Sequence, residues 1–228
     1  LLMQRLLDPE QLRQVASLVN QGSSRLAEVV DDIIEFADLQ TGVGPPTPVP
    51  TDLPVLVREA IEDAAGAAQA HRVLFETPGV LPTVSVDSMK LRSVIVKLIR
   101  NAVNFSPGSS IVTVRVSVGA GRLKLEVSDN GFGIQPEEAD RVFEPFFRGE
   151  ISQVRCIPGT GMGLSIVRQL VEMMGGEVAL HSQVDEGTTV AVTIPLADPE
   201  QPPPSAKASP SRASPTSPIP GVGTPSTV

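Results

Sequence analysis

An α+β fold is the class this sequence predicts: a two-layer α/β sandwich whose mixed sheet is covered on one face by helices, preceded by an α-helical hairpin or coiled-coil segment. Three observations carry the prediction. Two runs, 110–118 and 122–129, alternate apolar and polar residues (Val112, Val114, Val116 and Val118, then Leu123, Leu125 and Val127) around an Ala120-Gly121 turn. Strict alternation is the signature of strands with one buried face, and the short turn joins them as an antiparallel hairpin. Runs of helical period lie between and beside such strands, which is the order expected of a layered α+β domain. Finally, Leu12, Val19, Leu26 and Ile33 fall seven apart, with Val15, Val29 and Phe36 as a second seam and Gly22 as its weak point. A heptad stripe of this kind belongs to a coiled coil or helical bundle.

Taken in order, residues 1–41 form partial bundle helices. Asp8 caps the second, Pro9 and Glu10 enter its first turn, and Leu1–Leu7 ends a helix before it. Such a hairpin needs a partner, either a second copy or the following domain. Residues 42–50 (GVGPPTPVP, 42–50) are a linker of strong breakers. Residues 51–196 make the globular domain. Asp52 caps its first helix, with Pro54 in the first turn and Leu53, Val57, Ile61, Ala64 and Ala68 facing inward. Short strands follow near 72–76 and 83–86. Asp87 then caps a helix over 88–105 with Leu91, Val94, Ile95, Leu98, Ala102 and Phe105 on its core face. A helix over 161–174 ends at Gly175-Gly176, and a last hairpin, 177–182 and 188–195, turns at Asp185-Glu186-Gly187. Residues 197–228, rich in Pro and Ser, hold too few apolar side chains to offset their ordering entropy and are expected to be a disordered tail.

The net charge of -8 over 228 residues supplies no basic field for nucleic acid or an anionic lipid surface. One cysteine, Cys156, excludes an internal disulfide and fits a reducing, cytoplasmic setting. No apolar run reaches bilayer length and no signal-peptide pattern occurs. The start on LLMQRLLDPEQ reads as the middle of a longer protein, whose sensor or membrane anchor would lie upstream.

Between Asp129 and Leu164 three phrases crowd together: DNGFGI at 129–134, FEPFFRG at 143–149 and GTGMGL at 159–164. The first sets a carboxylate on a tight glycine turn, where it can accept a hydrogen bond from an adenine amino group. The last opens a helix with free backbone N–H groups, which suit phosphate oxygens. A polar stretch of lid length separates them. On the 88–105 helix, Lys97, Asn101 and Asn104 are spaced i, i+4, i+7 along one polar edge. A neutral amide oxygen there suits Mg²⁺, a hard ion that keeps most of its waters. Alone, that edge would read as a solvated helix face; with the glycine phrases it reads as part of a site for ATP and Mg²⁺.

These phrases resemble, in order, the N box (KLIRNAVNFSP, 97–107), G1 box (DNGFGI), F box (FEPFFR), G2 box (GTGMGL) and final glycine-threonine box (DEGTTVAVTIP, 185–195) of sensor histidine kinases. That family shares a Bergerat-type ATP-binding fold with DNA gyrase, the heat-shock chaperone ATPases and MutL, the GHKL superfamily. Five ordered boxes over about half the chain are a specific signal. The preceding SSRLAEVVDDIIEFADLQTG (23–42) resembles the second helix of the family's dimerisation and phosphotransfer domain. The resemblance implies that Asp129 binds the adenine amino group, helped by Thr188 through water, with Gly131 and Gly133 allowing close approach of the base. It makes Asn101 the Mg²⁺ ligand. Gly159, Gly161 and Gly163 present amides to the phosphates, Thr160 adds a hydroxyl contact, and Met162, Leu164 and Asn104 complete the binding set. Arg148 reaches the γ-phosphate, with Arg155 a weaker choice; Phe143, Phe146 and Phe147 are lid anchors. It further implies a homodimer through the N-terminal helices, a response-regulator receiver domain as partner, and γ-phosphoryl transfer to a histidine.

Two departures stand out. The family usually carries Asn where Lys97 stands and Lys or Arg where Asn104 stands, so the two residue types look exchanged along one helix face. A cation at 97 can neutralise phosphate but cannot bind Mg²⁺. Drift without a compensating role is the competing account. The two histidines, His71 and His181, both lie off the bundle helices, so the acceptor is expected upstream of Leu1. An ATP-sensing dimerisation module with little kinase activity is therefore the alternative function. An anti-sigma-type serine kinase fits the F box and heptads less well, and gyrase-like hydrolysis lacks a glutamate near position 97.

Overall fold

A computed structural model describes residues 8–42, 44–68, 72–108, 110–149, 157 and 159–196. The expected leading helix, His71, Arg155, Cys156 and the Pro/Ser tail fall outside them. Helix α1 spans Pro9–Thr41, 33 residues or roughly 50 Å of helix. Its start is the one the sequence marks: Asp8 Oδ1 accepts from the amides of Glu10 and Gln11 at 2.9 and 2.8 Å, and Gln11 Oε1 reaches back to the Asp8 amide. Gly42, in left-handed conformation, ends it.

After α1 the chain runs β1 (Val49–Thr51), α2 (Leu53–Ala68), β2 (Arg72–Glu76), β3 (Val84–Val86), α3 (Ser88–Asn104), β4 (Ile111–Gly119), β5 (Arg122–Asp129), α4 (Gly163–Met173), β6 (Glu177–Gln183) and β7 (Gly187–Pro195). Two single-turn 3-10 helices, Pro136–Glu138 and Arg141–Phe143, lie between β5 and α4. The main sheet has the order β2-β4-β5-β7-β6, with β2 and β4 parallel and the other neighbours antiparallel. The predicted mixed sheet is therefore observed. Its inward residues Val112, Val114, Val116, Leu123, Leu125, Val127, Val192 and Ile194 meet Leu91, Ile95, Leu98 and Ile99 of α3, Val57 of α2 and Ile166 of α4 in one core. The alternation in β4 and β5 survives as alternating burial because the sheet has helices on one face only.

The structure departs from the sequence reading at the linker. Val49 and Pro50, assigned to a linker ending at residue 50, begin β1, which pairs antiparallel with β3 in a separate two-stranded sheet. Proline is tolerated in so short an edge strand, and Thr51 of β1 and Val86 of β3 are buried. Asp87 ties this region together. Its Oδ1 accepts from the Lys90 amide and its Oδ2 from the Thr47 amide and Lys90 Nζ, all at 3.0 Å. Burial opposes ionisation of Asp87, but these hydrogen bonds outweigh it and hold the carboxyl below its ordinary 3.8. A depressed carboxyl stabilises the fold above its unfolded pKa and stops doing so as pH falls through the folded value. Asp87→Ala should cost about 2 kcal/mol at neutral pH, the loss of a helix cap plus an orphaned Thr47 amide. A urea midpoint unchanged from wild type would contradict that role.

The predicted heptad seam on α1 divides by environment. Leu12, Val15, Val19, Leu26 and Ile33 are exposed, whereas Val29 is half-buried and Phe36 and Leu39 pack against the domain core. The C-terminal half of α1 thus docks on the domain, while its other apolar stripe faces outward.

Candidate functional site

A cleft opens where α3, the ends of β5 and β7, the 130–149 segment and the start of α4 converge. Its apolar floor includes Val127 and Val190, which face each other across the β5–β7 ladder, together with Leu98 and Ala102 of α3 and Phe105, which caps its C-terminus. Two residues further along the ladder, Asp129 pairs with Thr188. Asp129 Oδ1 accepts from the Gly131 amide at 2.8 Å and the Thr188 amide at 3.3 Å. Burial pushes the Asp129 carboxyl above its ordinary 3.8, and the two backbone donors only partly offset it. The result is a half-buried, backbone-anchored carboxylate at the end of an apolar floor.

The turn after Asp129 is fixed from two sides. Phe132 donates its amide to the Phe105 carbonyl at the end of α3, and its own carbonyl accepts from the Asp185 amide. The Ile134 amide donates to Ser182 Oγ, which also lies 2.8 Å from Thr188 Oγ1. At the other end of the cleft, the Met162 amide donates to Thr160 Oγ1 at 3.1 Å, bending the chain into the first turn of α4. Gly161 has a φ of +71°, and a Cβ there would stand 2.7 Å from the Phe147 carbonyl oxygen, so only glycine lets the two segments meet. That meeting is sealed by the Phe146 amide donating to the Gly161 carbonyl.

The cleft brings together Lys97, Asn101, Asn104, Asp129, Gly133, Arg148, Gly159, Thr160, Gly161, Gly163, Leu164 and Thr188. Gly131 is buried behind Asp129, acting through its amide. Met162, expected among the binding residues, sends its side chain into the hydrophobic core. Phe143 is buried beneath the Arg168 guanidinium, 4.0 Å from the ring centroid, and Arg141 lies 4.4 Å over Phe147, as anchoring aromatics would. Arg148 donates to the Ile157 carbonyl.

Sequence reasoning missed a whole wall: Glu28, Val29 and Asp32 of α1 also line the cleft. Lys97, read from sequence as a cation for phosphate, is held there instead. Its Nζ lies 2.6 Å from Asp32 Oδ1 and 3.0 Å from Glu35 Oε2, while Ser93 Oγ donates to Glu35 and Thr160 Oγ1 to Asp32 Oδ2. Burial would lower the Lys97 pKa, but its two carboxylate partners raise it above the ordinary 10.5. No periodicity could have signalled these contacts, which pair residues more than 50 positions apart. Among the described residues no group of three His, Cys, Asp or Glu side chains could hold a metal ion, and no helix is long and apolar enough to cross a membrane.

A half-buried carboxylate on a glycine turn, an apolar floor and an amide-rich helix start define a nucleotide-binding class of domain. Residues 86–198 match the family of histidine kinase-, DNA gyrase B-, and HSP90-like ATPases. The chain is 32% identical over 197 residues to the sensor-like histidine kinase SenX3 of Mycolicibacterium smegmatis, covering 85% of this chain and 51% of that protein. It is 30% identical over 196 residues to the histidine protein kinase DivJ of Caulobacter vibrioides, covering 80% and 31%. The crystal structure of full-length ShkA in complex with AMPPNP superposes with a TM-score of 0.68 at 28% identity, over 84% of this chain and 40% of that one. The mycobacterial sensor histidine kinase MprB gives 0.56 at 28%, over 65% and 97%. This chain belongs with them: it carries a GHKL-type ATP-binding domain of the sensor histidine kinase family. It spans about half the length of the SenX3 relatives.

Proposed function

We propose that this domain binds Mg-ATP in the cleft and passes the γ-phosphoryl group to a histidine supplied from outside these 228 residues, for relay to a response-regulator aspartate. The bond from the γ-phosphorus to the bridging oxygen breaks, a bond to an imidazole nitrogen forms, and ADP leaves. The observation that carries the reading is the pairing of the Asp129 carboxylate, fixed by two backbone amides, with the Val127–Val190 floor. A carboxylate held that way accepts one hydrogen bond from an adenine amino group and leaves the ring to lie on apolar surface. Thr188 sits beside it to complete the contact. Gly131 and Gly133 shape the turn, and Gly159, Thr160, Gly161, Gly163 and Leu164 supply the phosphate end, where the N-terminus of α4 favours anions. Arg148 and Lys97 are the cations at that end, and Asn104 lies on the cleft wall.

Asn101 fits the metal role. Its side-chain amide lines the cleft and faces the first turn of α4, with Oδ1 3.5 Å from where a Gly163 Cβ would stand. A neutral amide oxygen in that place suits a hard cation that otherwise keeps its waters, and Mg²⁺ there would neutralise charge developing between the β- and γ-phosphates. Asn101→Ala should leave Mg-free ADP binding intact while abolishing most of the Mg²⁺-dependent gain in AMPPNP affinity, about tenfold or more by calorimetry. An identical Mg²⁺ dependence in the variant would sink the assignment.

Residues 1–41 are proposed as part of the dimerisation and phosphotransfer helices, 42–50 as a linker, 51–196 as the catalytic domain and 197–228 as a tail, all on the cytoplasmic side. The outward stripe Leu12, Val19, Leu26 and Ile33 supports a homodimer through α1. A module that senses ATP with little transfer is the second reading, favoured by the capture of Lys97 on Asp32 and Glu35. Labelled ATP plus a histidine-bearing dimerisation domain in trans separates the two. Phosphohistidine supports the kinase; binding without transfer supports the sensor.

A further inference from the structure

We propose that Asp32 of α1 is a stand-in anion at the phosphate end of the cleft, so that nucleotide binding and docking of α1 on the catalytic domain oppose one another. This rests on the cleft being the ATP site and assigns a regulation to it. The Asp32 carboxylate bridges the two groups best placed to receive phosphate oxygens: Oδ1 takes the Lys97 ammonium at 2.6 Å and Oδ2 takes the Thr160 hydroxyl at 2.9 Å. It does so from inside the cleft that Asn101, Gly159 and Gly161 also line. A triphosphate entering that space meets a fixed negative charge on one wall and finds its cation and hydroxyl already taken.

The remaining docking contacts are suited to reversible release. Glu35 shares Lys97 and accepts from Ser93, and Glu28 approaches Arg100 at 3.6 Å. Phe36 meets the exposed Phe146 ring edge-on at 6.2 Å between centroids, and Gln40 donates to Gln169 at 3.2 Å. The Glu28–Arg100 pair is well exposed and contributes little, so docking at this point rests on the more buried Asp32–Lys97 pair. Phe146 precedes the glycine-rich GTGMGL phrase and hydrogen-bonds to it through Gly161, so α1 grips that segment at two points, Asp32 on Thr160 and Phe36 on Phe146. Lys97, placed where the family carries Asn, is then the pivot: a cation that an acidic helix and a polyphosphate both want.

Linkage makes the coupling reciprocal, so removing the stand-in must tighten nucleotide binding. Calorimetric titration of the 228-residue chain with AMPPNP should show Asp32→Asn binding about fivefold or more tighter than wild type, with and without Mg²⁺. As a second readout, a Gln40→Cys/Gln169→Cys pair in a Cys156→Ser background should form its disulfide readily in the apo protein and several-fold more slowly with AMPPNP present. Unchanged or weaker affinity in Asp32→Asn overturns the proposal, and weakening confined to Mg²⁺-containing buffer would make Asp32 a metal ligand instead. Crosslinking indifferent to nucleotide overturns it equally. Absence of binding by every variant, wild type included, would instead overturn the nucleotide reading itself and this inference with it.

Discussion

Asp129→Asn is expected to weaken adenine-nucleotide binding about a hundredfold, the loss of about 3 kcal/mol that a charge-assisted hydrogen bond contributes in a buried site. The substitution is nearly isosteric. Its oxygen can keep the Gly131 and Thr188 amides that Asp129 Oδ1 now holds, so the turn should remain. What changes is the outer atom, which becomes an NH₂ group facing the adenine amino group. Two donors then oppose each other where a donor met an acceptor. Calorimetry with AMPPNP measures the effect; a guanine nucleotide should bind the wild type poorly for the same reason. A drop below threefold would mean the carboxylate does not read the base.

The same residue gives a pH dependence with a definite sign. With Asp129 proposed to read the base, binding is expected to need its ionised carboxylate, and burial has raised its pKa above 3.8. Wild-type affinity should therefore fall as pH drops through that raised value, while Asp129→Asn shows no such fall. Folding stability moves the other way at this one residue. A carboxyl with a raised folded pKa contributes stability below its unfolded pKa and loses it as pH climbs through the folded value.

Gly187→Ala is expected to destabilise the fold by about 3 kcal/mol and to remove nucleotide binding with it. Gly187 opens β7 with a φ of +115°, and a Cβ there would stand 2.0 Å from the Asp129 carbonyl oxygen and 2.8 Å from the Asn130 Cα. Both obstacles are backbone, so no side-chain rotation relieves them. β7 would have to move off β5 at the very step where Thr188 pairs with Asp129. Gly79→Ala is the control: nothing lies within 4 Å of its added carbon, so its stability should stay within about 0.5 kcal/mol of wild type. A urea midpoint for Gly187→Ala that matches the control would refute the argument.

Much of this was legible in the chain because the physics is local. Alternation in β4 and β5 could be read because only one sheet face is covered, and Asp8 and Asp87 announced their helices by capping. Part of the candidate cleft was legible for a related reason, since glycine is required where backbones touch, as at Gly131, Gly133 and Gly161, where an added Cβ would stand under 3 Å from backbone atoms. The rest was hidden for equally physical reasons. β1 is three residues long with a proline in it, so its pairing with β3 outweighs a sequence that reads as linker. Lys97 could be seen as a cation on the correct helix face, but not that Asp32 and Glu35 would claim it, because ion pairs between distant segments leave no period. Met162 looked like part of a phosphate loop, yet its flexible apolar side chain fills the core under α4.

The neighbouring positions of β5 and β7 have a consequence for how the protein forms. Asp129 and Thr188 touch in the finished sheet but lie 59 residues apart along the chain, with α4 and β6 strung between them. Such a contact can be made only after a long loop has closed, and loop closure of this kind slows folding relative to helices and hairpins that assemble from neighbours. The β4–β5 and β6–β7 hairpins can form early and independently; the Asp129–Thr188 corner cannot exist until they zip together. In refolding experiments, recovery of nucleotide binding should therefore coincide with the slowest step of sheet formation rather than precede it. The protein becomes able to recognise its ligand only when it has finished becoming itself.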